Sequence, residues 1–129
     1  MKIFFNRIVR NEAYGGGSQF VTSMVDYLKR QGHDVVFHLV DQDEQKVIKD
    51  IDVIFLIDPR PGDIGYSINH AIAYKKQINP KVKILHRVNE CDARKNTDFI
   101  DKMLVETSMH TDKTVFISKW LKDYFVKKF

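Results

Sequence analysis

Cysteine occurs once in these 129 residues, at Cys91. No internal disulfide is therefore possible, and neither a CxxC redox pair nor a zinc cluster can be built from the chain. A reducing compartment suits such a protein, and the expectation is a cytoplasmic one. Long apolar runs are also missing. Nothing reaches the ~18 consecutive apolar residues that a membrane span requires, and the run that opens the chain, Ile3 to Phe5, is too short for a secretory signal. The five histidines are scattered, with no HxH or HxxxH pair, so a metal site has no support. There is no GxGxxG fingerprint of a dinucleotide fold and no GK[ST] of a phosphate-binding P-loop.

The residues that are present read as one globular domain spanning 1–129. Hydrophobic residues make up 43% and charged residues 29%, with no repeat and no low-complexity stretch. A chain of this length falls within the ~100–150 residues typical of a compact domain with one core. The formal net charge of +4 favours anionic partners without choosing among them. Some of that charge lies at the end of the chain, where Lys119, Lys122, Lys127 and Lys128 accompany Trp120, Tyr124, Phe125 and Phe129. That segment suits a solvated helix face over core aromatics, or a membrane or partner surface. Nucleic-acid binding is not expected, because no basic helix or aromatic-rich strand pair emerges.

Short apolar runs alternate with helical patterns along the whole chain, the order of a parallel sheet with crossover helices. The fold class expected is a three-layer, Rossmann-like α/β domain with about five mainly parallel strands. Ile3 to Phe5 begins the first strand. Phe20, Val21, Met24, Val25 and Leu28 then share one face of a helix that follows Gly17 and ends at Gly32. Val35 to Val40 reads as the second strand and 41–50 as a short helix turning Val47 and Ile48 to the sheet. Val53 to Ile57 is apolar throughout, as a central strand covered on both sides would be. The prolines of Asp58-Pro59-Arg60-Pro61 forbid its continuation. A helix over 64–77 turns Ile64, Ile68, Ala71 and Ile72 inward. Val82 to Val88 forms the fourth strand, 98–108 a helix, and Thr114 to Ile117 the fifth strand. Ser118 caps a last helix with apolar positions Trp120, Leu121, Tyr124 and Phe125.

In open parallel sheets ligands bind beyond the carboxyl ends of the strands, where helix amino termini point donors outward. Gly15-Gly16-Gly17-Ser18, directly before a helix, suits either a phosphate approached closely by backbone or a plain flexible turn. The stretch from His86 to Thr97 is dense in paired donors and acceptors. Arg87, Asn89, Glu90 and Asp92 fit the recognition of sugar hydroxyls or phosphate, with Glu90 and Asp92 as candidate catalytic acid and base. The same residues fit a solvated loop in which Asp92 caps a turn. Asp58 and Arg60 sit correctly for ligand contact, or Asp58 simply caps the proline-rich turn. His86 lies near the end of its strand, and alternation turns it toward either ligand or core.

Gly15-Gly16-Gly17-Ser18-Gln19-Phe20, with the later Gly32-His33-Asp34-Val35, resembles the opening of the retaining glycosyltransferases of family 4. His86-Arg87-Val88-Asn89-Glu90, then Asp92, Arg94 and Lys95, is similar to the segment after their fourth strand. Val115-Phe116-Ile117-Ser118 with Trp120-Leu121 resembles the end of their amino-terminal domain. The resemblance implies the acceptor-side half of a GT-B enzyme, without the second domain that holds most of the nucleotide-sugar. It implies that Gly15, Gly16, Gly17 and Ser18 approach the donor phosphates, and that Arg87, Asn89, Glu90, Asp92, Asp58 and Arg60 face a carbohydrate or glycolipid acceptor. The implied reaction is glycosyl transfer from a nucleotide-sugar with retention, needing no cofactor and no metal. It is expected to be silent in the isolated chain and to require a second domain or a partner chain. The competing class is a non-catalytic carbohydrate- or nucleotide-recognition module that pairs with another chain. A receiver-like regulator lacks its acidic pair after the first strand, and the epimerase reading finds neither GxxGxxG nor a YxxxK acid/base pair.

Overall fold

A computed structural model describes residues 1–8, 15–61 and 65–129, with the backbone alone for 15–18. Five strands, β1 (Lys2–Phe5), β2 (Asp34–Val36), β3 (Val53–Leu56), β4 (Lys83–Val88) and β5 (Lys113–Phe116), form one sheet in the order β2-β1-β3-β4-β5. All four pairings are parallel. The chain is an α/β Rossmann-like protein. Because β2 lies on one side of β1 and the later strands on the other, the connections part between β1 and β3. That parting is where doubly wound folds open a crevice for ligands.

Among the described residues five helices accompany the strands: α1 (Gly15–Arg30), α2 (Ile68–Gln77), the single turn α3 (Asp92–Lys95), α4 (Ile100–Ser108) and α5 (Lys119–Lys128). On one face of the sheet Val21 and Val25 of α1 bury against Ile3, Phe5, Phe55 and Ile57, with Phe20, Met24 and Leu28 beside them. On the other face Ala71 and Tyr74 of α2 meet Phe4, Ile54, Leu56 and Ile84. Beyond these, Val88, Cys91, Ile100, Leu104, Leu121 and Phe125 join α4 and α5 to the end of β4. The alternation of Phe4 and Phe5 between the first two clusters is the period of two that any strand imposes.

Helix α1 ends at a residue only glycine adopts readily. Gly32 has φ +86°, its N–H donates to the Lys29 carbonyl at 3.0 Å, and the His33 N–H reaches back to the Leu28 carbonyl at 3.0 Å. These two bonds are the Schellman closure. Helix α2 begins at a capping box, in which the Ser67 side chain accepts from the Asn69 N–H and His70 Nδ1 accepts from the Ser67 N–H. Ser118 caps α5 as expected, accepting from the Leu121 N–H at 3.1 Å.

The structure departs from the sequence reading at several places. Residues 41–50 form no helix. Asp41 Oδ1 accepts from the Asp43 and Glu44 N–H groups, Gln45 takes φ 55°, and Val40 bridges antiparallel to Val47. The aspartate offers the backbone a local partner that competes with the helix, and Val47 is left exposed while Ile48 still reaches the core. Strand β2 is correspondingly short, three residues instead of six. Trp120, expected inward on α5, is exposed, because Leu121 and Phe125 alone take the core side of that helix. A one-turn helix, α3, occupies what reads as a polar loop. The third helix, expected over 64–77, begins only at Ile68, because Gly65 takes φ 76° and Ser67 is its extended N-cap; Ile64 itself lies outside the described residues.

Candidate functional site

The carboxyl ends of β1 and β3 meet around Asn6. Its side-chain amide donates to the carbonyls of Asp58, at 2.5 Å, and Tyr66, at 3.1 Å, while its Oδ1 accepts from the Ile57 N–H at 2.7 Å. All three bonds tie β1 to the segment after β3, so Asn6 shapes the crevice wall. The residue was not singled out from sequence, because its partners are backbone groups some fifty residues away.

Asp58 grips Arg60. Arg60 Nε and Nη2 donate to the two carboxylate oxygens at 2.9 and 2.7 Å, and the Arg60 N–H adds a third bond at 2.8 Å. Burial alone pushes the Asp58 carboxyl up, but Arg60 more than offsets it and holds the group below the usual carboxylate range. The pair is a two-residue turn whose charges answer each other.

Consecutive β4 residues carry the unusual chemistry. His86 is fully buried, and neither ring nitrogen has a hydrogen-bond partner among the described residues. Burial drives its pKa down to about 4, against a smaller opposing pull from Asp58. Arg87, on the opposite face of the strand, is 5% exposed, with Nε and Nη1 buried and unpartnered among the described residues. Its guanidinium carbon sits 4.7 Å from the centre of the Phe20 ring, in the second turn of α1. Burial first, and the like charge of Arg7 second, depress its pKa. A buried guanidinium stacked on a ring still has its in-plane N–H edge to satisfy, at a cost of several kcal/mol if nothing does.

Past β4 the remaining candidates separate. The side chain of Asn89, half-buried, has no hydrogen-bond partner among the described residues. Glu90, also half-buried, makes a loose ion pair with Lys95 at 3.7 Å. Asp92 is fully engaged: Oδ1 accepts from Thr97 Oγ1 at 2.6 Å and the Ile100 N–H at 2.8 Å, and Oδ2 from the Asp101 N–H at 3.2 Å. Its carboxylate caps the amino terminus of α4, eight residues on, rather than the local turn that its sequence position suggested. Gly15, Gly16 and Gly17 fall within the first turn of α1, where the reading from sequence has them ahead of the helix. The free N–H groups and positive dipole end of a sixteen-residue helix thus begin at the glycines themselves.

Tyr124 and Lys128 do stand four apart on α5, a YxxxK spacing that the reading from sequence missed. Both are taken up by Asp101, which accepts from the Tyr124 hydroxyl and from Lys128 Nζ at 2.6 Å each. Asp101 also accepts from the Asp92 N–H at 2.7 Å. The cluster fastens α3, α4 and α5 together. Among the described residues no group of three or more histidine, cysteine, aspartate or glutamate side chains is placed to hold a metal ion. Nor is any described helix long and apolar enough to cross a membrane.

No protein-family model matches the chain, and no curated protein sequence does. Its fold is shared. A solved α-glucosyltransferase, in complex with UDP and a 13-mer DNA containing a central A:G mismatch, superposes with a TM-score of 0.50 over 92% of this chain, at 15% identity. This chain spans 37% of that neighbour's length. The likeness concerns the fold alone, a parallel α/β architecture.

Proposed function

We propose that this chain is the acceptor-side, amino-terminal half of a GT-B glycosyltransferase of the retaining family 4 type, moving a sugar from a nucleotide-sugar to a carbohydrate or glycolipid acceptor. The observation that carries the reading is the amino terminus of α1, opening on three glycines beside the ends of β1 and β4, in a fold shared with an α-glucosyltransferase. In this reading the N–H groups of Gly15 to Ser18 hydrogen-bond donor phosphate oxygens, and their positive end stabilises the charge that collects there as the glycosyl bond breaks. Asn89 accepts from and donates to acceptor hydroxyls, and the Glu90 carboxylate accepts from them. Glu90, held only by a loose ion pair, is the better candidate for handling the acceptor proton, since Asp92 caps α4. No cofactor is required. The isolated chain neither transfers nor hydrolyses sugar, because the groups that grip the nucleotide belong to a second domain or a partner.

A test uses the protein that contains this chain, assayed with a panel of nucleotide-sugars against saccharide, lipid-linked and DNA acceptors. Glu90→Gln should cut transfer at least tenfold with an unchanged melting temperature. A Glu90→Gln variant that transfers normally removes that residue from the reaction, and transfer to DNA alone replaces the acceptor class.

The second reading is a silent recognition module that pairs with another chain. It is favoured by the outer face of β5, where Val115 and Ile117 stand exposed in the same row as Arg87. Sedimentation of the purified chain separates the two, since a module of this kind associates through that face and Val115→Asp disperses it.

A further inference from the structure

The buried head group of Arg87 has no counter-charge among the described residues. Among the described residues the acidic candidates near the ends of these strands are committed elsewhere: Asp58 to Arg60 at 2.7 Å, Glu90 to Lys95 at 3.7 Å, and Asp92 to the first turn of α4. The charge that does act on Arg87 is Arg7, of the same sign. Phe20 covers one face of the guanidinium plane and so leaves the in-plane donors Nε and Nη1, which have no partner among the described residues. Phe20 also fixes the location, because it belongs to α1 one turn below the helix's amino-terminal end. Side chains of a helix lean toward its amino terminus, so the ring and the cation on it lie beneath the free N–H groups of the first turn. Two positive side chains and a positive helix end therefore converge on a place where a buried donor edge is unfilled. Planar N–H pairs of this kind match the oxygens of a phosphate.

We propose that Arg87, supported by Arg7 and the first turn of α1, is the direct ligand of a phosphate group, forming a phosphate subsite inside this domain. The inference rests on the glycosyltransferase reading for its two candidate sources, the diphosphate of the donor and a phosphate on the acceptor. It does not need that reading for the subsite itself. Arg87 is then a binding residue whose burial is tolerated because the ligand completes it, and stacking on Phe20 holds the fork in place when the ligand is absent.

Thermal unfolding of the purified chain in sodium phosphate and in sodium chloride of equal ionic strength provides the test. Phosphate should raise the melting temperature of the wild type in a saturable way. In Arg87→Gln the phosphate effect should vanish, with at least tenfold weaker binding, while the variant melts in chloride no lower than the wild type because a buried unpaired charge has gone. Arg7→Gln, a change at a half-buried position, should fold normally and weaken phosphate several-fold, which keeps the test open if Arg87→Gln does not fold. UDP and methyl phosphate distinguish the sources: tighter binding of UDP through Arg87 assigns the donor, and equal or tighter binding of methyl phosphate assigns the acceptor. A phosphate effect identical in wild type, Arg87→Gln and Arg7→Gln overturns the proposal. So does a lowered melting temperature of Arg87→Gln in chloride with no phosphate effect in the wild type, the outcome of a purely structural arginine. If phosphate binds through Arg87 and no nucleotide-sugar is ever used, the subsite stands and the glycosyltransferase reading falls.

Discussion

His86 and Arg87 are neighbours in sequence and opposite in what they ask of their surroundings. His86 stays neutral: its pKa falls from the ordinary 6.5 to about 4, so between those values the unfolded chain binds the proton that the folded chain refuses. Stability should be unaffected by this group above pH 6.5 and decline as the pH drops toward 4, by up to about 3 kcal/mol. Urea unfolding at pH 7 and pH 5 measures the decline, and His86→Leu should flatten it. Loss that persists in His86→Leu would assign the acid sensitivity to other groups. The carboxylates with lowered pKa, such as Asp101 and Asp112, act in a more acid window, below their ordinary value of 3.8. Asp92 offers a second contrast at this scale. Asp92→Ala strips two N–H bonds from the start of α4 and one from the Thr97 hydroxyl and should cost about 1–2 kcal/mol, read from the denaturation midpoint, whereas Glu90→Gln should leave that midpoint in place.

Secondary-structure elements are joined here by a few polar staples as well as by apolar packing. Asp101 is 2% exposed and receives Tyr124, Lys128 and the Asp92 N–H, so three helices depend on one carboxylate. Replacing Asp101 with Leu should lower stability by about 2–3 kcal/mol and leave far-ultraviolet dichroism of the remainder intact; an unchanged denaturation midpoint would show the staple to be superfluous. At the end of α1, Gly32→Ala should cost about 1 kcal/mol from backbone conformation alone, as φ is +86° and open space surrounds the added methyl. Gly32 was legible in the sequence, and so were the inward face of α1, the apolar centre of β3 and the Ser118 cap, because each is encoded within one turn or one strand. What could not be read was non-local or competed locally. The Asn6 clip has partners around residues 57, 58 and 66, and Asp41 diverts 41–50 from a helix whose apolar spacing was only two residues deep. Trp120 misled because an aromatic at helical spacing reads as core, while the sheet beneath α5 ends at β5.

For the whole molecule, parallel strands with a parting between β1 and β3 gather the unusual side chains at one end of the sheet. The fold was legible from the alternation of strand and helix; the division of the site was not. His86 and Arg87 both read as candidates near a strand end, yet the sheet sends one into the α2 side and the other to the α1 side, where Arg87 stacks on Phe20 near the amino terminus of α1. The acid pair Glu90 and Asp92 likewise splits into a loosely held group and a cap. The resulting account is of a domain that supplies a helix end, a buried arginine and a polar rim, with the second half of the chemistry supplied from outside it. The most direct measurement is a transfer assay with labelled nucleotide-sugars on the isolated chain and on the protein that contains it, side by side. The account predicts no turnover by the isolated chain and transfer by the larger protein that falls at least tenfold with Glu90→Gln. Turnover by the isolated chain, or a larger protein that neither binds nor uses any nucleotide-sugar, would contradict it.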